Sequence, residues 1–210
     1  TSLDTLDFFR ISPRGLAVTT PEYPSIMGML GFLKHCCLRI VVRTVANRPP
    51  LKERIEDLFK RPMTAERLTM KMILDEIAGV DPEAGDIVEH ALRSFRPRLV
   101  FNMGRHPDEL KVARTIDRSL HRALSIEADH FGFVFEEPAV RRCVREGAVF
   151  LPDHSGGAAG KALIQTAERI VGFWDREIPE SASRIRSRAR ELFEESERVG
   201  SSLNRGTSFA

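Results

Sequence analysis

Four short apolar segments, separated by helical patterns, constrain the fold of this chain most strongly. They are residues 15–20 (GLAVTT), 98–103 (RLVFNM), 130–135 (HFGFVF) and 148–152 (AVFLP). Each is rich in β-branched or aromatic residues and bounded by turn-forming residues, which is typical of strands buried on both faces. Such strands, alternating with helices, predict an α/β fold: a three-layer, mostly parallel sheet of at least four strands with helices on both faces.

Helical segments with clear start signals follow these strands. Pro24, Pro107 and Pro138 each stand where a helix begins, because the first turn does not use the N–H that proline lacks. A further helix is predicted from about residue 157 to 174. By its spacing, the inner face of this helix comprises Leu163, Ala167, Ile170 and Val171.

Nearly eighty residues separate the first two strand segments, far more than a crossover helix needs. They contain helical patterns at 50–61, 64–78 and 81–95, the second of which begins at a Thr64 cap. We therefore predict a helical insertion, residues 40–97, within the α/β domain.

Composition and charge restrict the class of protein. Apolar residues make up 42% of the chain and charged residues 30%, as in soluble globular proteins. The net charge of +2 gives no field that would attract nucleic acid, so none is expected as a partner. No run approaches the roughly 20 apolar residues of a membrane span. Three cysteines without metal-ligand spacing favour a reducing, cytoplasmic location.

The segment 155–161, SGGAAGK, resembles a phosphate-binding loop but departs from its pattern twice. Ser155 stands where the first glycine belongs, and Ala162 replaces the hydroxyl residue that would bind Mg²⁺. The segment is interpreted as a loop that begins a helix. The alternative is an enzyme that holds an anionic substrate at this helix N-terminus.

Ligands of parallel α/β sheets bind at the carboxyl ends of the strands. Three such ends are readable here: Thr19–Glu22, Asn102–Arg105 and Phe135–Pro138. Asn102 offers a donor and an acceptor, which matches the edge of adenine, but it could equally close a turn through its own backbone. Glu136 and Glu137 could face a ligand or cap the helix that follows.

The sequence contains no convincing catalytic or metal-binding set. Its six histidines show no H-x-x-x-H pair or carboxylate partner at metal spacing, and no G-x-S-x-G turn is present. We therefore predict no catalytic residue and no metal ligand.

Three longer segments carry a family resemblance. They are SLDTLDFF followed by GLAVTTPEYPSIMGMLGFLK, then RPRLVFNMGRHPDELKVARTIDRSLHRAL, then DHFGFVFEEPAVRRCVREGAVFLPD. In this order they resemble the C-terminal two-thirds of MinD/ParA-type ATPases, and most closely the flagellar FlhG/FleN-like branch. The resemblance covers about half of the chain. It implies a P-loop NTPase sheet of the SIMIBI type in which residues 1–175 are the C-terminal part of the nucleotide-binding domain.

The resemblance also implies a set of site residues. Asn102 matches the family's adenine-contacting Asn, and Arg105 matches a nearby polar position. The loop that passes over the base corresponds to Glu136, Glu137 and Pro138, although Phe135 departs from the Pro common there. Thr1 and Ser2 would border the γ-phosphate switch. The family's phosphate loop and its acidic Mg²⁺ motif belong to strands that are not in this chain, so the sheet is expected to be incomplete on its N-terminal side.

The implied function is that of an ATP-dependent positional or assembly switch. ATP and Mg²⁺ would be the cofactors of the complete protein, ATP would favour a homodimer, and a protein partner of unknown identity would stimulate hydrolysis. The present chain is expected neither to bind ATP tightly nor to hydrolyse it. An alternative is a non-catalytic interaction protein that uses the insertion, residues 40–97.

Residues 176–200 form an amphipathic pattern. Its apolar positions are Ile178, Ala182, Ile185, Ala189, Leu192 and Val199. Some relatives end in a membrane-targeting helix, but this stripe is thin and the second half of the segment is acidic. We therefore predict a helix that packs loosely or projects into solvent, with weak membrane affinity. Residues 201–210 are predicted to be disordered.

Overall fold

The structure is a computed structural model that describes residues 3–60 and 69–206. Three strands and twelve helical segments follow one another along these residues. In chain order they are α1 (Leu3–Phe9), β1 (Leu16–Thr19), α2 (Tyr23–Thr44), α3 (Pro49–Lys60), α4 (Met70–Val80), α5 (Pro82–Ser94), β2 (Arg98–Gly104), a 3₁₀ helix (Pro107–Val112), α6 (Ala113–Ser119), a π-helix (Leu120–Leu124), β3 (Asp129–Phe135), α7 (Pro138–Glu146), α8 (Phe150–His154), α9 (Ala158–Phe173) and α10 (Ser181–Gly206).

The three strands form one parallel sheet in the order β1-β2-β3. The prediction of an α/β fold with a parallel sheet is confirmed, but the fourth strand, at 148–152, is wrong because residues 150–154 form α8. Val149 is 72% exposed, so this segment does not have the buried environment that its apolar residues suggested. Pro152 lies in the first turn of α8, where its missing N–H costs nothing.

The chain divides into two compact units. The helical unit comprises the described residues of Thr1–Gly15, Met27–Pro97 and Thr115–Ala128, and the sheet unit those of Leu16–Ile26, Arg98–Arg114 and Asp129–Ala210. The described residues of the predicted insertion, 40–97, therefore belong to a helical unit that also includes residues on either side of it.

The core of the helical unit includes a cluster of aromatic rings. The ring of Phe9 packs edge-on against Phe32 and Phe95, with centroids 4.8 and 6.3 Å away. Gly15 leaves room for this ring, because a Cβ at that position would lie 2.7 Å from it. The cluster thus ties α1 to α2 and to the end of α5.

The helical insertion follows the predicted pattern in part. Asp81 ends α4 and caps α5 by accepting a hydrogen bond from the N–H of Ala84 at 3.0 Å. The pattern at 50–61 corresponds to α3. The predicted Thr64 cap lies outside the described residues, and α4 begins later, with Thr69 as its cap.

Helix α2 departs from the expectation that no segment resembles a membrane span. By length and composition alone, Tyr23–Thr44 could cross a membrane, and it is the one helix among the described residues that could. Only 39% of its apolar window is buried inside the structure, but Leu33, Cys36, Cys37 and Val41 are fully buried. These four residues show that one side of α2 packs into the helical unit. The apolar composition of α2 therefore does not by itself distinguish a core helix from a membrane span.

Two carboxylates of the helical unit should make stability fall in acid. Arg39 donates two hydrogen bonds to Asp7, at 3.1 and 3.0 Å, and this interaction lowers the pKa of Asp7 below its usual 3.8. The N–H of Ala84 likewise lowers the pKa of Asp81. A depressed pKa contributes stability above the unfolded value and loses it as pH falls through the folded value. Thermal melts from about pH 7 to pH 2.5 should therefore show Tm falling below about pH 4.

The variant Asp7→Asn provides the check on this prediction. It should lower Tm at pH 7 and flatten the acid part of the profile, because its side chain cannot titrate. An unchanged acid slope in this variant would mean that other groups control the transition.

In the sheet unit, α9 covers β2 and β3. Leu163, Ile170 and Trp174 pack against a core formed by Val100, Phe131, Val134 and Ile178. The predicted inner face of α9 is wrong at Val171, which is 88% exposed, and at Ala167, which is also exposed. Thr166 takes the central position instead, because Gly132 on β3 leaves space for it: a Cβ on Gly132 would lie 2.2 Å from the Thr166 hydroxyl. That hydroxyl donates to the carbonyl of Ala162 at 2.8 Å.

A fully buried ion pair joins β2 to β3. Arg98 and Asp129 stand opposite each other at the start of these strands, and their side chains form a salt bridge with no solvent exposure. Arg98 also donates to the carbonyls of Trp174 and Arg176, both at 2.8 Å, while Asp129 accepts from the N–H of Ile178 at 3.1 Å. The pair therefore fixes the segment that connects α9 to α10.

Helix α10 packs on the sheet unit, so the prediction of loose packing is wrong. Ile185, Ala189 and Leu192 are buried, as their spacing predicted, and the Ser181 hydroxyl accepts from the N–H of His130 at 3.0 Å. The helix continues to Gly206, which also corrects the predicted disorder of residues 201–206; residues 207–210 lie outside the described residues. Several of its charged residues pair with the sheet unit rather than with water, which the thin apolar stripe did not reveal.

Candidate functional site

The carboxyl ends of the three parallel strands meet at one rim of the sheet unit. The rim consists of Thr19–Glu22 after β1, Asn102–Arg105 at the end of β2, and Phe135–Glu137 at the end of β3. The N–H of Glu136 donates to the carbonyl of Gly104 at 2.8 Å and joins the last two of these segments. Arg105 and Glu136 are in contact at this rim, and Asn102 lies near the same end of β2.

Asn102 is half-buried and lies in β2, two residues before the strand ends. Its Oδ1 accepts a hydrogen bond from the N–H of Met103 at 2.9 Å, so the turn interpretation is right for this atom. Within the described residues the Nδ2 group has no hydrogen-bond partner, and Oδ1 keeps a second lone pair. Met103 has a φ of 60°, a left-handed conformation that is strained for a non-glycine residue. Asn102 therefore presents a donor and an acceptor at a strained strand end.

Arg105 lies between carboxylates at the rim. Its Nε donates to Glu136 at 2.8 Å, and this hydrogen bond raises the pKa of Arg105. Glu136 also pairs with Arg141 at 3.4 Å. The nearby Thr20 side chain lowers the pKa of Glu22, and Arg105 contributes to the same shift by charge. Two carboxylates thus balance the positive charge near Arg105, whose own side chain is 76% exposed.

Glu137 and Pro138 belong to the start of α7. The Glu137 side chain accepts from the N–H of Ala139 at 3.3 Å, and Pro138 takes the first helical position. The capping interpretation is therefore right for Glu137, and Glu136 is the carboxylate that faces the rim.

Thr1 and Ser2 fall outside the described residues. Among residues 3–60 and 69–206 no group of three His, Cys, Asp or Glu side chains could hold a metal ion.

The segment SGGAAGK connects α8 to α9. Lys161 pairs with Glu195 of α10, with Nζ and Oε1 2.5 Å apart. A Cβ on Gly160 would lie 2.2 Å from the carbonyl oxygen of His154, so this glycine permits close packing of two helices. Lys161 and Gly160 thus both have structural contacts, which supports the interpretation as a loop that begins a helix.

Replacing Lys161 by Ala should leave phosphate binding unchanged. The side chain is already paired, and the pair is partly exposed, so the free energy of unfolding should change by less than about 1 kcal/mol. Isothermal titration with inorganic phosphate and with ATP would measure this. A loss of binding that is specific to this variant would revive the enzyme alternative.

Sequence reasoning missed one residue of the rim and one buried ion pair at the opposite ends of β2 and β3. Arg141 reaches Glu136 from α7, and nothing in its sequence context marked it. The buried pair Arg98–Asp129 did leave a signal, since opposite charges open two successive apolar strands.

The helical unit contains a separate cavity of about 530 Å³. Helices α4 and α5 and the region of the π-helix contribute its lining. The charged lining residues are Lys71, Asp75, Asp86, Glu89, Arg93 and Arg122. Their opposite charges are equal in number, so the cavity favours neither an anion nor a cation, and a partner of mixed charge suits it best.

No protein-family model, no curated protein and no solved structure matches the chain. The resemblance to MinD/ParA-type ATPases therefore rests on the three sequence segments that carry it, and the case for a site rests on the geometry of the rim.

Proposed function

We propose that this chain forms the adenine-side part of a MinD/ParA-type ATP-binding switch. The observation that carries the proposal is the position of Asn102: it lies near the carboxyl end of the central strand of a parallel sheet and has an unused amide donor. Adenine presents an acceptor at N7 beside the N6 donor, which is the pattern that an Asn side chain recognises. This chemistry favours an adenine base as the ligand of the rim.

The charges of the rim also favour a base over a phosphate group. Glu22 and Glu136 balance Arg105 and Arg141, so no net positive field would draw in a triphosphate. Phosphate binding in such switches needs backbone N–H groups, a Lys and Mg²⁺. In our proposal those groups come from a further part of the nucleotide-binding domain.

The β1 edge of the sheet supports the proposal that further strands supply the phosphate-binding groups. Among the described residues β1 pairs on one side only, and Val18 on its face is 59% exposed. Strand β3 is buried along its whole length, and Ser181 of α10 caps one of its backbone N–H groups. Parallel sheets are normally covered on both faces, so β1 is a suitable place for further strands to add.

The surface of α9 also supports the addition of a further strand and helix beside β1. Ile164 and Val171 of α9 are seven positions apart, so they lie on one face of the helix, and both remain exposed. Val18 stands in register with Val100, which packs in the α9 core, so Val18 lies on the α9 side of the sheet. The exposed apolar faces of β1 and α9 could thus be covered together by a strand followed by a helix.

Adenosine binding tests the proposal directly. We expect weak binding of adenosine, detected by saturation-transfer NMR, and a roughly tenfold or greater loss on Asn102→Ala, in line with the 1–3 kcal/mol of a bidentate base contact. The matched variant Asn102→Asp keeps the acceptor for Met103 but lacks the amide donor, so it should lose binding too. Full adenosine binding by Asn102→Asp would contradict the assigned role.

The same proposal predicts that this chain alone does not hydrolyse ATP. None of its described residues forms a phosphate-cradling loop with a free Lys, since Lys161 is paired. A phosphate-release assay should show no turnover above background. Turnover that disappears in Asn102→Ala would show that the chain is a complete ATPase.

A second candidate function uses the helical unit. Its cavity of about 530 Å³ with balanced charges favours an interaction protein that binds a partner of mixed charge. Charge reversal at Lys71 and Asp86 would abolish such an interaction, while Asn102→Ala would leave it intact.

A further inference from the structure

The loop between β2 and the 3₁₀ helix rests on aromatic rings. A Cβ on Gly104 would lie 2.0 Å from the ring of Phe133, so the backbone lies directly on that ring. Phe133 packs edge-on against Phe135 at 5.1 Å, and Phe135 stacks on Phe193 of α10 at 6.1 Å. Phe193 also meets the ring of His106 at 4.8 Å. Helix α10 thus contributes one ring to the support of this loop.

Ion pairs attach α10 to the same region. Asp108 in the 3₁₀ helix lies 3.5 Å from Arg186 and 3.4 Å from Arg190. A hydrogen bond from Lys111 lowers the pKa of Asp108, and Arg186 acts in the same direction, so the carboxylate stays charged. The first half of α10 therefore holds the 3₁₀ helix by charge and by stacking.

The hydrogen bonds that shape the loop are mostly local. The N–H of Arg105 donates to the Glu109 side chain at 2.9 Å, and the N–H of Asp108 donates to Nδ1 of His106 at 3.2 Å. The N–H of Glu109 donates to the carbonyl of His106 at 3.0 Å. Among the described residues of the loop, only Gly104 and Arg105 bond to Glu136 beyond β3, so the position of residues 106–109 relative to the sheet depends largely on what packs against them.

We propose that α10 is a positioning element for the rim loop, residues 102–109, and that Phe193 is its main positioning residue. Docked α10 holds Asn102 and Arg105 where the rim presents them. The ligand side of the proposal rests on the proposed function, since the ligand is the adenine base. Coupling is reciprocal, so a base bound at the rim should in turn protect α10.

Hydrogen exchange followed by mass spectrometry tests the positioning without any ligand. The variants Phe193→Ala and Arg186→Gln/Arg190→Gln should raise the exchange rate of residues 103–109 by about tenfold or more, with the amides of β3 and of residues 98–102 in β2 little changed. Phe193→Tyr keeps the ring and should behave like the parent chain. The control Arg188→Gln lies on the same helix but pairs with Glu191 of α10 itself, so it should change nothing.

Adenosine affinity supplies the second readout. We expect Phe193→Ala and the double variant to weaken it about fivefold, and adenosine to slow exchange in α10. Unchanged exchange in 103–109, or an equal increase throughout the sheet unit, would overturn the inference. If the parent chain binds no adenosine, the proposed function fails, while the exchange of residues 103–109 still decides the role of α10.

Discussion

Replacing Asp129 by Ala should lower the free energy of unfolding by about 3–5 kcal/mol, the cost of leaving one buried charge without its partner. Arg98 would keep its bonds to two carbonyls but lose the carboxylate that neutralises it. The N–H of Ile178 would lose its acceptor as well. Urea denaturation followed by circular dichroism would measure the change.

The exposed pair Arg93–Glu89 is the matched control. Its side chains lie 2.6 Å apart but are 73% and 45% exposed, so Glu89→Ala should cost less than about 1 kcal/mol. If Asp129→Ala lowers the free energy of unfolding no more than Glu89→Ala does, burial does not govern the strength of the Arg98–Asp129 pair.

Replacing Gly160 by Ala should destabilise the chain by about 1–3 kcal/mol, as overpacking does at sites without free space. The new Cβ would meet the carbonyl oxygen of His154 at 2.2 Å and the Cα of Ser155 at 2.7 Å. Both are backbone atoms, so α8 and α9 would have to move apart. Chemical denaturation would measure the loss.

Gly156 offers a control four positions earlier in the same segment. A Cβ there meets nothing within 4 Å, so Gly156→Ala should change stability by less than about 0.5 kcal/mol. Equal effects of the two substitutions would contradict the packing role of Gly160.

Much of the fold could be predicted from local signals. Asp81 caps α5, Gly147 ends α7 with a φ of 64°, and three apolar segments form the parallel sheet. The segment 148–152 failed because a short apolar run has the same composition in a strand and in a short helix. The exposure of the segment would distinguish a short helix from a buried strand, but exposure depends on tertiary packing that no local pattern encodes.

The candidate site could be predicted only where chain position determines it. Parallel strands place Asn102 and Glu136 at one rim, so both followed from the strand assignments. The sequence did not show which group each carboxylate contacts. Glu137 caps a helix, while Glu136 pairs with Arg105. The docking of α10 was missed because it depends on Arg–Asp and ring contacts between residues some eighty positions apart.

The parallel pairing of β1 with β2 has a consequence for folding kinetics. Leu16 pairs with Arg98 only after the whole intervening segment, roughly 80 residues long, has been closed into a loop. Local helical hairpins such as α4–α5 form without that entropy loss, so they should appear early and the β1–β2 ladder late. During synthesis on the ribosome β1 emerges long before its partner strand. It must therefore remain unpaired until β2 appears, which makes chain elongation the interval in which this protein is most exposed to misfolding and aggregation.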